Sequence, residues 1–310
     1  MARFLITGGC GFIGSHLADA LISCGHSVRI LDNISTGSLA NKPASAELVV
    51  ADIADERSVL DALEGCDGCF HLAAIASIER GHQDWAGTHR TNLTGSIVVF
   101  DAARRVRPIT PVPVVYASSA AVYGNNPDLP LSETATTKPL SAYGADKLGS
   151  EQHAFVAGNV HGVPTCGLRF FNVYGPRQDP ASPYSGVISI FCDRIKAGRE
   201  ITIFGDGEQT RDFVYVRDLV RALQAAIAGA SVLAPVYNVC TGQGTSVSEL
   251  ARIIAAEVGR TSGVTFGPAR TGEVRHSIGD PTRARYKLKF MAETPVDRGL
   301  AMTLLALGKI

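Results

Sequence analysis

Charge of one sign is not in excess: the 310-residue chain carries 29 Lys+Arg and 29 Asp+Glu, a formal net charge of zero. Proteins that coat nucleic acid carry a basic surplus, so no nucleic-acid partner is expected, although a local basic pocket stays possible. Aromatic residues are sparse, 7% of the chain, and the single tryptophan, Trp85, has no readable role. Long apolar runs are missing as well. The greasiest stretch, 222–237, is interrupted by Gln224, Gly229, Ser231 and Pro235, against the ~20 residues of a membrane span. The opening Arg3-Phe4-Leu5-Ile6-Thr7 runs straight into glycines, unlike a secretory leader. Neither a membrane partner nor a targeting segment is expected. The seven cysteines (10, 24, 66, 69, 166, 192 and 240) are odd in number and scattered, which fits reduced thiols in the cytoplasm better than a disulfide framework. Cys66 and Cys69 form a C-x-x-C, but Cys69 opens an apolar strand where a redox motif needs a helix start. No second pair completes a zinc set, so no metal site is expected.

What is present is apolar and punctuated: 45% hydrophobic residues with 32 Gly and 15 Pro, enough for a large core. Short apolar runs at 4–6, 28–31, 48–50, 69–72, 112–117 and 165–170 read as strands. Helical spacing lies between most of them, through Ile13, Leu17 and Leu21, near 59–63, over 91–104 and over 142–160. Strands without polar alternation, separated by helices, imply a parallel sheet covered on both faces. After Phe171 the texture changes to Gly/Pro-rich loops, with helices expected near 187–196 and 247–258. The expected division is a nucleotide-binding domain over 1–176 and a smaller α/β substrate-binding region over 177–310, with about 212–240 free to pack back on the first domain.

Between the first strand and first helix stands Thr7-Gly8-Gly9-Cys10-Gly11-Phe12-Ile13-Gly14, which fits both G-x-G-x-x-G and T-G-x-x-G-x-x-G. Glycines there permit a tight turn and let a pyrophosphate approach the backbone, while the helix start offers unpaired N–H groups and the positive end of its dipole. The expected fold is therefore a Rossmann-type doubly wound sheet. Asp32 closes strand two about 20 residues on, where a carboxylate can hold adenosine ribose hydroxyls. Asn33, not arginine, follows it, which prefers NAD over NADP. A turn-forming aspartate is the alternative. Asp52 could accept from the adenine amino group or belong to the cap of the helix that follows.

Tyr143 and Lys147 stand four residues apart, neighbours on one helix face. A phenol titrates near 10, and a nearby ammonium favours its phenolate, which can then act as a general base toward an alcohol. Ser118 and Ser119 end the fifth strand at the same sheet edge and can bond the same substrate oxygen.

With these motifs in this order, the sequence resembles the extended short-chain dehydrogenase/reductase family, in particular its nucleotide-sugar 4-epimerases. Further landmarks are His71-Leu72-Ala73-Ala74, Thr91-Asn92-Leu93, the run from Ser118 to Gly124, Arg169-Phe170-Phe171-Asn172-Val173-Tyr174-Gly175-Pro176, Gly205 to Phe213 and Gly272-Glu273-Val274-Arg275. The resemblance implies catalysis by Ser119, Tyr143 and Lys147. It implies an NAD site of Gly8, Gly11, Phe12, Ile13, Gly14, Asp32, Asn33, Asp52, Ile53, Leu72, Ala73, Ala74, Asn92, Ser118, Tyr143 and Lys147. For a nucleotide-diphosphate sugar it implies Ser119, Asn172, Arg211 and Arg275. A surface ion pair with Asp212 is the alternative for Arg211, and one with Glu273 for Arg275. Dehydrating and decarboxylating relatives carry acids just after the catalytic serine, where this chain has Ala120 and Ala121, so oxidation and re-reduction at C4 is expected. UDP-glucose/UDP-galactose is the first choice. Ser277, at a position where large residues exclude N-acetylated sugars, brings the N-acetyl pair close behind. A homodimer through the helices near 91–104 and 142–160 is also implied. The competing readings are a single-direction nucleotide-sugar dehydrogenase or reductase and a non-catalytic NAD-binding protein.

Overall fold

Neighbouring residues of the first strand serve opposite sides of the molecule. In β1 (Arg3–Thr7), Phe4 and Ile6 enter one apolar cluster and Leu5 another, as a strand buried on both faces requires. The computed structural model describes residues 1–179, 186–260, 263–269 and 274–308. Six strands join β1 in one parallel sheet: β2 (Ser27–Asp32), β3 (Glu47–Val50), β4 (Gly68–His71), β5 (Val114–Ser119), β6 (Thr165–Phe170) and β7 (Val236–Val239), in the order β7-β6-β5-β4-β1-β2-β3. The order turns back between β1 and β4, and Thr7 stands level with Leu31 on one side and His71 on the other. At such a switch point the connections leave to opposite faces and a crevice opens outside the carboxyl ends.

Helices α1 (Phe12–Ser23), α2 (Glu56–Leu63), α3 (Gly95–Val106) and α4 (Ala142–His161) follow in chain order, then α5 (Val187–Lys196), α6 (Val216–Ala228), α7 (Val247–Val258) and α8 (Val296–Ala306). Leu17 and Leu21 of α1 and Leu219 and Leu223 of α6 cover one sheet face. Val59 and Leu63 of α2, Val99 and Ala103 of α3, and Ala154 of α4 cover the other. A third cluster gathers Ile188 and Phe191 of α5, Leu250 and Ile254 of α7, and Leu300 of α8 around Ile201 and Ile203. Thus α6 and β7, although late in the sequence, build onto the first sheet.

Two elements differ from the sequence reading for local reasons. β5 starts two residues later than 112–117 because Pro113 has no N–H to pair. α8 was not anticipated: Gly299 interrupts its pattern, yet a Cβ there would meet Cζ of Tyr174 at 2.7 Å, so the glycine permits close packing. Cys66 and Cys69 are both buried, and burial pushes both thiols up, the opposite of a reactive pair. Among the described residues, no helix is long and apolar enough to cross a membrane.

The switch point is tied by one hydroxyl. Thr7 Oγ1 accepts the Leu72 and Ala73 N–H groups at 3.1 and 3.2 Å and lies 2.8 Å from His71 Nδ1. His71 Nε2 lies 3.1 Å from Ser96 Oγ, which donates to the Asn92 carbonyl at 2.6 Å. The hydroxyl hydrogens assign His71 the neutral tautomer that accepts at Nδ1 and donates from Nε2. Burial, then the Lys147 charge, holds the imidazole down to about 3. Unfolded, the same ring takes up a proton near 6.5, so its contribution to stability is complete above that value and is lost as pH falls toward 3. Denaturant unfolding of wild type and His71→Gln between about pH 7 and pH 5 should show the steeper loss in wild type; equal slopes would contradict the assignment.

Candidate active site

The glycine loop is shaped by contacts that a side chain would destroy. Gly8 has φ +71°, and a Cβ there would meet Ala73 N at 2.8 Å; one on Gly14 would meet Gly9 Cα at 2.8 Å. α1 begins after Gly11 with no side-chain cap, leaving its first N–H groups for an outside acceptor. Asp32 accepts from Cys10 N–H at 2.9 Å and from Ile34 N–H at 2.8 Å. Each carboxylate oxygen keeps acceptor capacity for a ribose hydroxyl. Asp52 likewise holds the Ala54 N–H at 2.8 Å, whereas the cap of α2 is Asp55. Uncapped amides, a groove that excludes Cβ atoms and a strand-end carboxylate fit an adenine dinucleotide.

One cleft of about 890 Å³ runs along this edge. Gly8, Gly11, Phe12, Ile13, Gly14, Asp32, Asn33, Asp52, Ile53, Leu72, Ala73, Ala74, Ser119, Tyr143, Lys147 and Asn172 all line it. Four expected residues do not. The Ser118 hydroxyl turns inward onto Glu151. Asn92 is fully buried on a wide turn, Arg90–Thr94, where its amide holds Ile75 N–H at 2.8 Å and Ile75 carbonyl at 3.1 Å, so it shapes the cleft wall from behind. Arg211 donates to the carbonyls of Thr210 and Arg275. Arg275 forks onto Asp206 at 2.7 and 2.8 Å and holds that carboxyl down to about 2. Glu273, its other expected partner, lies outside the described residues. The buried Asp212 carboxylate accepts from Thr241, Gly242 and Gly279.

Sequence reasoning passed over Ser35, Thr36, Gly37 and Ser38, which line the cleft after β2. Their signal is the Asn33 side chain, which accepts from Ser35 N–H at 3.1 Å and forms a local turn. It also passed over Arg177 and Gln178, which line the same cleft as Asn172.

Tyr143 sits in the first turn of α4, whose N-cap Ser141 accepts from Gly144 N–H. Lys147 stands one turn on, 2% exposed, with its ammonium 5.8 Å from the Tyr143 ring centroid. Burial pulls the Lys147 ammonium down to about 8, with the Asp146 carboxylate pulling the other way. The expectation that Lys147 favours the phenolate meets a stronger effect. Burial raises Tyr143 above the ordinary phenol value, opposed by its hydrogen bond to the Ser119 hydroxyl. Ala120 and Ala121 follow Ser119 in a tight turn and bring no carboxyl to that position.

A profile described as the NAD dependent epimerase/dehydratase family matches residues 4–240. The sequence is 38% identical over 310 residues, 97% of each chain, to the UDP-glucose 4-epimerase of Mycolicibacterium smegmatis. It is similar in structure to the UDP-glucose 4-epimerase of Thermotoga maritima solved with UDP-glucose, with a TM-score of 0.94, 36% identity and 98% of both chains covered. The UDP-glucose 4-epimerase of Thermus thermophilus solved with NAD gives 0.91 at 31% identity, over 99% of this chain and 100% of that one. NAD is the cofactor of this family. Gly14→Val should abolish NAD binding in a fluorescence titration while the far-ultraviolet spectrum stays native; unchanged affinity would show that the loop is not the coenzyme's seat.

Proposed function

Because the chain belongs to the NAD dependent epimerase/dehydratase family, we propose that it is a 4-epimerase of a UDP-sugar, with UDP-glucose/UDP-galactose first and the N-acetylated pair second. The observation that carries this reading is the convergence of Ser119, Tyr143 and Lys147 on the cleft that the glycine loop closes, with only methyls at Ala120 and Ala121. NAD, when bound, supplies a reversible hydride acceptor. The free amides of α1 and the glycine loop would hold its pyrophosphate, and Asp32 its adenosine ribose.

Tyr143 takes the proton from the sugar 4-hydroxyl and later returns it to the same oxygen. Ser119, which lines the cleft with Tyr143, would hold that oxygen in line. Lys147 keeps a positive charge beneath the phenol and stabilises its deprotonated form. A proton acceptor is not enough for loss of the 6-hydroxyl, which needs acids that Ala120 and Ala121 cannot supply. The 4-keto sugar stays tethered through its nucleotide and presents its other face before re-reduction. Asn172 lines the cleft and would take the diphosphate. Arg211 and Arg275 would join it only if Arg275 exchanged Asp206 for phosphate oxygens, a trade of one charged acceptor for another.

A homodimer fits the outer faces of α3 and α4, where Ile97, Phe155, Val156 and Val160 are exposed by 37%, 55%, 44% and 63%. Free thiols at all seven cysteines suit a reducing, cytoplasmic setting.

Incubation with UDP-glucose, UDP-galactose and their N-acetylated forms, without added coenzyme and read by sugar NMR, should show interconversion within one pair. Tyr143→Phe should lower kcat by about 10²–10⁴-fold and leave the NAD content intact; full turnover in that variant would refute the assignment. Phe155→Glu should shift the sedimentation coefficient of the dimer to that of a monomer, whereas an unchanged value would remove this face from the interface.

A further inference from the structure

Behind the cleft wall runs a line of buried polar groups for which the proposed reaction has no use. Ser118 donates to the Glu151 carboxylate. Arg169 forks onto the same carboxylate, Nε to Oε1 at 2.9 Å and Nη2 to Oε2 at 2.7 Å. Its third nitrogen, Nη1, donates to the Tyr123 hydroxyl at 2.8 Å, and Tyr123 donates to Asn238 Oδ1 at 2.6 Å. Asn238 Nδ2 reaches the Leu131 carbonyl at 2.8 Å. Leu131 N–H donates to the Ile278 carbonyl at 2.8 Å, and Asp280 N–H returns to Leu131 at 2.9 Å. Burial pushes the Tyr123 phenol up to about 12, so it remains a donor within the line.

The Glu151 and Arg169 side chains are only 6% and 7% exposed. A buried ion pair adds little net stability, because removing both charges from water offsets their attraction. What it fixes is geometry, since both ends of the fork have to fit together. Ser118 adjoins Ser119. Glu151 lies one turn beyond Lys147 on α4. Arg169 precedes Phe170, Phe171 and Asn172, which line the cleft. Asn238, on β7, carries the line to residues 278–280, just past Ser277.

From this arrangement we propose that Glu151 and Arg169 are positioning residues, a buried brace that sets Ser119 against Tyr143 and couples it to the 131 and 278–280 segments. The inference rests on the catalytic reading of Ser119 and Tyr143 given above. No charge is stranded by Ser118→Ala or Tyr123→Phe, which makes them gentler probes than Glu151→Gln. Both should lower kcat about tenfold with KM within about twofold, the signature of small misplacement. The Tyr143 phenol, faced by Ser119 and Lys147, can be followed by ultraviolet titration of the purified protein as the difference from Tyr143→Phe. It should titrate at higher pH in both variants, since the Ser119 bond favours the phenolate. Wild-type kcat and an unmoved titration, with only a lower melting temperature, would reduce the brace to a structural role. Should wild type convert none of the four sugars, the proposed reaction fails, and the titration alone still decides the brace.

Discussion

Lys147 puts a positive charge where water scarcely reaches, and the surrounding groups answer to that charge. Its ammonium is 2% exposed and drawn down to about 8. A second cation beside it would add repulsion in a medium that screens poorly. His71 is held neutral between Thr7 and Ser96 by burial first, with the Lys147 charge adding to it. Asp146 acts the other way and favours the ammonium. The protein thus keeps one mobile-proton group, Tyr143, beside one cation and a neutral imidazole at the sheet's carboxyl edge.

That edge is rigid because its polar groups are shared between elements. Thr7 ends β1 yet carries the backbone of Leu72 and Ala73. Asn92 does the same for Ile75 from the far side. These bonds fix the loop after β4 against the glycine turn, where Gly8 leaves no room for a Cβ. The cleft is lined by strand ends and helix starts together with loop residues such as Ser35, Arg177 and Gln178.

Strands β1 to β6 and most of the residues lining the cleft were legible because their signals are local. Continuous apolar runs marked β1 to β6, and the glycine spacing marked the start of α1. Tyr143, Lys147 and Ser119 were legible as a set only through their order along the chain. Partnerships were not. Ser118 and Ser119 look alike in sequence, but strand alternation sends one to Glu151 and the other to the cleft. Arg275 has its carboxylate in Asp206, 69 residues away, a partner no local spacing reveals. The raised Tyr143 phenol is also a packing effect, since burial is its largest cause.

The central claim is that Tyr143 and the coenzyme seat carry a hydrogen away from C4 and return it within one closed cleft. UDP-glucose or UDP-galactose deuterated at C4 tests this directly when incubated with the purified protein and no added coenzyme. The account predicts an epimerised product that keeps its deuterium at C4. Washout of the label into solvent would contradict it.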